Sequence, residues 1–120
     1  MIIALWIVSG LLAAMYLLAG GQKVFAIEKY RESSPWSKDA SALLVRGIGV
    51  LELLGAIGLI LPKVTNIVPG LTVWAAVGLV LVQVGAISTH VVRKEYKVLP
   101  VNIGLLLGAV FVVVGWTYLV

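Results

Sequence analysis

The sequence predicts an all-α protein in which four transmembrane helices form one up-and-down bundle. Of its 120 residues, 62% are hydrophobic and only 12% are charged, and the mean hydropathy is +1.14. Soluble globular domains contain about 45–50% apolar and about 25% charged residues, so this composition lies outside their range. The apolar residues form four runs, each long enough to cross a hydrocarbon core about 30 Å thick. Because the connections are short and the chain is small, we expect a single membrane domain over residues 1–120.

The first predicted helix covers about residues 1–24. Residues 1–21 carry no charged side chain, and roughly 20 apolar residues are enough to span the membrane. A secretory signal peptide would begin with basic residues and have a shorter apolar region, so we interpret this run as a retained helix. Ser9, Tyr16 and Lys23 follow one another at intervals of seven residues and therefore share one helical face. This face can be interpreted in two ways. It belongs to a polar site, or its hydroxyl group forms a hydrogen bond within its own helix while its lysine extends to the membrane surface.

The first connection, residues 25–42, mixes aromatic with charged side chains. Such a mixture is typical of the headgroup layer of a bilayer. We expect a short interfacial helix that is interrupted at Ser33-Ser34-Pro35, because proline cannot continue a helix. Ser37 or Ser41 is expected to cap the next helix. A solvated interfacial loop explains this composition more simply than a binding loop does.

The second predicted helix covers about residues 43–61 and ends at Pro62. Glu52 lies about nine residues from its start and hence near the middle of the bilayer. A charged side chain at that depth costs roughly 2.5–3.5 kcal/mol on insertion scales, so it requires a partner or a function. Arg46 lies about 240° around the helix from Glu52 and cannot pair with it. We expect Arg46 to meet a loop carboxylate or a lipid phosphate.

The third predicted helix covers about residues 67–91, with Pro69 in its first turn. Gln83 and His90 are seven residues apart in it, so they also share one face. Like the first helix, the third helix thus has one face with polar residues at an interval of seven.

The fourth predicted helix covers about residues 99–120 and carries Asn102 near its start. Gly104 and Gly108 form a GxxxG pattern, which is typical of closely packed membrane helices. We expect this face to pack against another helix.

The charged residues of the connections predict the orientation. The connections at residues 25–42 and 92–98 lie on the same side of the bundle and carry most of the basic residues, whereas the opposite side carries only Lys63. By the positive-inside rule, we expect the cell (inner) membrane, with both basic connections in the cytoplasm and both termini outside. The net charge of +4 therefore reflects membrane topology. It does not indicate a nucleic-acid partner, which would require a basic face on a soluble domain.

Polar residues of all four helices gather in the half of the membrane next to the basic connections. One tier lies near the surface, and a second lies about 10–13 Å deeper. The opposite half is almost entirely aliphatic, aromatic and glycine. Because polar side chains in membrane helices usually turn inward, we expect a two-tiered polar pocket that opens toward the basic side. Its candidate ligand-binding residues are Tyr16, Lys23, Arg46, Glu52, Gln83, His90 and Asn102.

Two interpretations of this pocket are open. In the first, Glu52 and His90 form a titratable pair that exchanges protons with a quinone-like headgroup, while Lys23 supplies charge and the amide and phenol side chains orient the ligand. In the second, the same side chains form interhelical hydrogen bonds, worth about 0.6 kcal/mol each on average, that determine how the helices pack. Because Glu52 is ionisable and lies at mid-depth, we favour the first interpretation, a functional site, for the candidate residues taken together.

The residue types of the chain exclude several kinds of chemistry. There is no cysteine, so disulfide exchange, thiolate catalysis and thiolate ligation of zinc or iron–sulfur clusters are excluded for this chain alone. One histidine and one glutamate in the spans fall short of a normal set of metal ligands. No catalytic triad, phosphate loop or dinucleotide motif is present. We therefore expect no metal site, and an accessory subunit more than a stand-alone enzyme.

The order of these residues resembles the DoxX-like family of small four-helix membrane proteins over nearly the whole chain. The resemblance rests on Ala19-Gly20-x-x-Lys23, Arg46-x-x-Gly49-x-x-Glu52-x-x-Gly55 before Pro62, Gly85 to His90, and Pro100-x-Asn102. The family takes its name from subunits associated with thiosulfate:quinone oxidoreductase, and a distant animal relative assists the assembly of nicotinic receptors. The resemblance implies a membrane redox setting, in which a partner would supply any thiol. It also implies that the functional positions are Lys23, Arg46, Glu52, His90 and Asn102.

These observations predict an integral membrane protein whose polar pocket binds a lipophilic small molecule, a quinone or a lipid. It would act as the membrane subunit of an oxidoreductase assembly, surrounded by membrane lipids and contained in a homo-oligomer or a larger complex, with quinone as the candidate cofactor. The alternative is a structural or assembly partner that docks on a larger membrane protein through its GxxxG and aromatic faces. A small transporter or channel subunit is a third hypothesis, which the apolar outer half opposes.

Overall fold

The computed structural model describes residues 1–119 and is all-α over that range. Its α-helices are α1 (Ile2–Phe25), α2 (Ile27–Ser33), α3 (Pro35–Asp39), α4 (Ala42–Thr65), α5 (Leu71–Val92) and α6 (Leu99–Val114). A 3₁₀ turn at Tyr96–Val98 precedes α6, and a π-helical turn at Gly115–Leu119 follows it. Four segments are long and apolar enough to cross a membrane: α1, α4, α5 and the continuous segment Tyr96–Leu119. The predicted fold class, an all-α arrangement of four transmembrane-length helices, is confirmed.

The four long helices pack as a ring in chain order. α1 packs against α4 and α6, and α5 packs against the same two helices, so α1 and α5 face each other across the bundle diagonal. Residues from all four helices form the hydrophobic centre. Many large apolar side chains are exposed on the outside of the bundle, as expected where lipid takes the place of water.

The end of α4 differs from the prediction. The helix does not stop at Pro62 but continues to Thr65, after which Asn66 adopts a left-handed conformation with φ of 56°. A proline removes one backbone hydrogen bond of a helix, and neighbouring helices in a membrane tolerate this loss. Proline therefore did not mark the end of the helix here.

The start of α5 also differs from the prediction, because α5 begins at Leu71 and not at residue 67. Pro69 consequently precedes the helix and does not lie in its first turn. A proline disfavours the helical conformation of the residue before it, and that residue, Val68, has a φ of 45°. The helix can begin only after this point.

The first connection folds into a helical hairpin at the basic end of the bundle, called here the α2–α3 hairpin (Ile27–Asp39). Pro35 begins α3, which confirms the predicted interruption. The Ser41 hydroxyl accepts a hydrogen bond from the backbone N–H three residues on (3.1 Å), which confirms Ser41 as the N-cap of α4. Ser37 is not a cap: it is fully buried, and its hydroxyl donates to the Ser34 carbonyl at 2.7 Å.

The GxxxG pattern of α6 is divided between the inside and the outside of the chain. A Cβ atom on Gly108 would lie 3.1 Å from Leu12, so Gly108 packs against α1. A Cβ atom on Gly104 would meet nothing within 4 Å, and Gly104 is exposed. Within the described chain only Gly108 serves packing, and the packing of Gly104 against a helix of another chain stays a prediction.

Candidate functional site

A buried ion pair joins α1 to α4. Lys23 Nζ lies 2.6 Å from Glu52 Oε1, and the two side chains are only 9% and 5% exposed. Lys23 lies near the C-terminal end of α1, whereas Glu52 lies in the middle of α4. Because side chains tilt toward the N-terminus of their own helix, those of two antiparallel helices converge. The mid-membrane carboxylate thus has a specific partner, as its insertion cost requires.

Two glycines bring the helices close enough for this contact. A Cβ atom on Gly20 would lie 2.7 Å from the Gly49 carbonyl oxygen, and a Cβ atom on Gly49 would lie 2.7 Å from Lys23 Cβ. A larger residue at either position would force the helix backbones apart. Each glycine precedes a member of the ion pair by three residues, so each pair of positions shares a helical face.

A hydrogen bond across the bundle diagonal joins α1 to α5. Gln83 Nε2 donates to the Tyr16 hydroxyl oxygen at 2.8 Å, and both side chains are buried. Gln83 Oε1 is buried and accepts no hydrogen bond from any described residue. Since lipid offers no donor to such an atom, the amide has an acceptor available for a ligand or an internal water molecule. We call Tyr16, Lys23, Glu52 and Gln83 the polar core.

At the basic end, a chain of charged side chains runs from α5 to the α2–α3 hairpin. His90 Nδ1 lies 3.0 Å from Glu95 Oε1, Glu95 Oε2 lies 3.2 Å from Arg93 Nε, and Arg93 Nη2 lies 2.7 Å from Asp39 Oδ2. Desolvation alone would raise the pKa of Glu95, but the hydrogen bonds from His90 and Arg93 and the Arg93 charge outweigh it and lower this pKa. Glu95 is therefore ionised at neutral pH and holds Arg93 in position to reach Asp39.

The structure separates the two groups that were expected to titrate as a pair. Glu52 contacts Lys23, whereas His90 contacts Glu95. The physical reason is depth: His90 lies in the last turn of α5, while Glu52 lies in the middle of α4. The sequence already placed the two residues at different depths, and their joint titration in one site stays a prediction.

The other two candidate residues form no side-chain hydrogen bond or ion pair with the polar core in the described structure. Arg46 is exposed on α4, and Asn102 is half-buried near the start of α6. Of the seven candidates, the structure thus joins Tyr16 to Gln83 and Lys23 to Glu52. Within residues 1–119, no cluster of three or more His, Cys, Asp or Glu side chains is placed to hold a metal ion.

Residues in the connections were missed by the sequence analysis. The Tyr30 ring centroid lies 5.0 Å from Lys23 Nζ, and Asp39, Arg93 and Glu95 form the charged chain described above. Helical periodicity does not extend through a connection, so no spacing rule pointed to these side chains. Only their aromatic and charged character was visible in the sequence.

The opposite half of the bundle is less apolar inside than the sequence predicted. Ser9 and Thr72 are fully buried, and their hydroxyl groups have no partner among the described residues. Lys63 Nζ lies 4.3 Å from the Trp116 ring centroid, and Trp6 packs edge to face on Trp116 at 5.7 Å. A cation–π contact therefore lies at each end of the bundle. For Ser9, the sequence did indicate an inward direction, because Ser9 lies seven residues before Tyr16 and so shares its helical face.

Two apolar grooves follow the outer side of α4. The first, of about 440 Å³, runs from Ser41 to Leu51. The second, of about 530 Å³, lies between α4 and α5, shares Leu51 with the first and includes Val82. Leu51 and Val82 directly precede Glu52 and Gln83 in the chain, so the second groove lies at the depth of the polar core. None of the seven candidate residues lines either groove.

Comparison with known proteins identifies a family. The family model described as the DoxX-like family matches residues 7–113 of the chain. The match includes the whole of α4, α5 and the α2–α3 hairpin and most of α1 and α6. None of the curated proteins and none of the solved structures compared with the chain matches it.

Proposed function

The chain belongs to the DoxX-like family, and we propose that it binds a lipophilic small molecule, a quinone or a lipid, at its polar core. The molecule's apolar part lies in the groove between α4 and α5. Its polar end reaches Gln83 on α5 and Glu52 on α4, whose carboxylate pairs with Lys23 of α1.

The Lys23–Glu52 ion pair is the observation that carries this proposal. Replacing a buried ion pair by apolar residues of similar volume is often neutral or stabilising, because both charges lose their hydration when they are buried. Helix packing alone is therefore a weak reason to keep two opposite charges at this depth. A polar ligand is a stronger reason, since intramembrane ionisable groups usually belong to functional sites.

The groups of the polar core fit the polar end of such a ligand. The Lys23 ammonium group donates hydrogen bonds, Gln83 Oε1 accepts them, and the Tyr16 hydroxyl does both. A quinone presents carbonyl acceptors and the corresponding quinol presents hydroxyl donors, so both find partners here. A lipid headgroup with hydroxyl or phosphate oxygens uses the same groups.

We propose further that the protein is an accessory membrane subunit of an oxidoreductase assembly. Because the chain has no cysteine, any thiol chemistry has to take place on a partner. In this arrangement, the present chain holds the lipophilic molecule and the partner carries the redox centre. The association of the family's namesake subunits with thiosulfate:quinone oxidoreductase supports this role as an accessory subunit.

Native mass spectrometry of the protein extracted in mild detergent tests the ligand site. We expect a bound lipophilic species in the wild type that is lost in Glu52→Gln. Gly78→Leu should also reduce its occupancy, because a Cβ atom at this groove-lining position meets nothing within 4 Å and the added side chain projects into the groove. Glu32→Gln, which removes an exposed carboxylate of α2, should leave the ligand bound. Unchanged occupancy and unchanged host redox phenotype in Glu52→Gln and Gly78→Leu would refute the proposal.

A second candidate function is that of an assembly partner for a larger membrane protein. The open surface around Gly104 favours it, because a small residue facing outward allows another helix to approach closely. Gly104→Leu should then abolish co-purification of a stoichiometric partner, whereas Glu52→Gln should not. Gly108→Leu is a poorer test, since Gly108 packs against Leu12 inside the chain. Co-purification that survives Gly104→Leu would argue against this function.

A further inference from the structure

The α2–α3 hairpin is held together internally by its own hydrogen bonds. Arg31 Nε donates to the Ser37 carbonyl at 3.1 Å, and Arg31 Nη2 donates to the Ala40 carbonyl at 2.8 Å. Trp36 Nε1 donates to the Tyr30 hydroxyl at 3.1 Å, and the two rings pack edge to face. Because these contacts join α2 to α3, the hairpin is built to move as one body.

One side chain of the hairpin lies directly against the polar core. The Tyr30 ring faces the ammonium group of Lys23 at 5.0 Å, a distance suited to a cation–π interaction. The same ammonium group also pairs with Glu52 at 2.6 Å. The hairpin therefore lies between the ion pair and the aqueous phase on the basic side.

An exposed ion pair joins the hairpin to the end of α5, in addition to the packing of α2 against α1 and α4. Arg93 Nη2, just beyond α5, lies 2.7 Å from Asp39 Oδ2 at the end of α3, and these side chains are 32% and 66% exposed. Exposed ion pairs are weak and are screened by salt. Glu95 contacts Arg93 from the other side and is itself bound to His90. The Asp39–Arg93 ion pair is thus oriented by neighbouring charges and yet costs little to break.

We propose that the α2–α3 hairpin is a lid over the polar core and that the Asp39–Arg93 ion pair holds this lid closed. A closed lid keeps water and protons of the basic side away from the Lys23–Glu52 pair, and an open lid admits them. The purpose of the lid rests on the proposed function, because a bound quinone or lipid needs access to protons or polar solutes only at certain times. Its existence is a separate matter that labelling can test without a ligand.

A single cysteine reports on lid opening, because the chain has no natural cysteine. Val45→Cys places a thiol at a fully buried position near the start of α4, the helix that α2 packs against. In detergent, Asp39→Asn and Arg93→Gln should each speed labelling of this thiol by a membrane-impermeant maleimide about two- to fivefold, as expected for loss of an exposed ion pair. Salt at about 0.5 M should speed labelling when the Asp39–Arg93 ion pair is present, because salt screens the two charges. In the variants that lack the ion pair, salt should have little further effect.

Two controls separate lid opening from general loosening of the fold. Glu32→Gln removes an exposed carboxylate from the same hairpin and should leave the labelling rate unchanged. Ser9→Cys places a thiol at a fully buried position in the opposite half of the bundle and should stay unreactive in every variant. Unchanged labelling of Val45→Cys in both ion-pair variants would overturn the lid, as would equal reactivity of Ser9→Cys. Neither result depends on ligand occupancy, so the lid and the proposed function can fail independently.

Discussion

At the scale of single residues, the polar core shows how a membrane protein accommodates charge. Lys23 and Glu52 lie 2.6 Å apart and are nearly inaccessible, so each charge compensates the burial of the other. Removing one partner leaves an uncompensated charge in an apolar surrounding, whereas removing both leaves none. The two kinds of change should therefore differ sharply in their effect on stability.

We expect Glu52→Leu and Lys23→Met each to lower the free energy of unfolding by about 3–5 kcal/mol. The double variant should recover most of this loss, because neither charge is then left without its partner. Unfolding in mixed detergent micelles followed by circular dichroism measures both effects. A double variant as unstable as the sum of the single losses would show that the two residues do not act as a pair.

The pH dependence of stability should contain a contribution from Glu95. Its pKa is lower in the folded protein than in the unfolded chain, so its ionised form stabilises the fold above the unfolded pKa of about 4.3. This contribution is lost as the pH falls through the still lower folded pKa. We expect Glu95→Gln to lower Tm at pH 7 and to have progressively less effect below about pH 4. A Tm difference that stays constant from pH 7 to pH 3 would contradict this assignment.

At the scale of helices, the crossing of α1 and α4 positions the ion pair. Gly20 and Gly49 bring the two backbones so close that a Cβ atom on either would lie 2.7 Å from the other helix. The GxxxG pattern of α6, which is more conspicuous in the sequence, contributes only Gly108 to the packing of the described chain. The close crossing of α1 and α4 is thus formed by two single glycines that face each other.

Gly49→Ala should separate α1 from α4 and lower the free energy of unfolding by roughly 1–3 kcal/mol, as overpacking typically does. Gly47→Ala is the matched control, since it lies on the same helix and its Cβ atom would meet nothing within 4 Å. It should be neutral or stabilise by up to about 1 kcal/mol through helix propensity. Thermal unfolding of both variants checks the difference. Equal effects would mean that the close crossing is not required.

At the scale of the whole molecule, charge is distributed unevenly between the two ends of the bundle. The end formed by the α2–α3 hairpin and the connection after α5 carries most of the basic residues, and the other end carries Lys63. By the positive-inside rule, we expect the first end in the cytoplasm. The lid would then face the cytoplasm, and the Lys63–Trp116 contact would lie at the outer surface.

Single cysteines on the two ends test this orientation in intact cells. Asn66→Cys, in the exposed connection after α4, should react with a membrane-impermeant maleimide added outside. Lys38→Cys, on the exposed surface of the hairpin, should react only after the cells are permeabilised. The reverse pattern would place the basic end outside.

Composition and helical periodicity determined the class of protein, the number of long helices and the inward direction of the polar core. These properties follow from the local sequence, because about 20 apolar residues suffice to span a bilayer and intervals of seven place side chains on one face. The interruption before Pro35 and the cap at Ser41 were also predictable, since both depend on neighbouring residues only. The family could be inferred from the order of the motifs and is confirmed by comparison.

The partners of the polar side chains were decided only by the tertiary structure. The sequence named no single partner for Glu52, and it pairs with Lys23 because glycines bring α1 against α4 and because side chains on antiparallel helices tilt toward each other. Asp39, Arg93 and Glu95 lie in or beside connections, where no periodicity relates position to direction. A sequence determines which face of a helix is polar, but the depth and rotation of one helix against another depend on packing over the whole bundle.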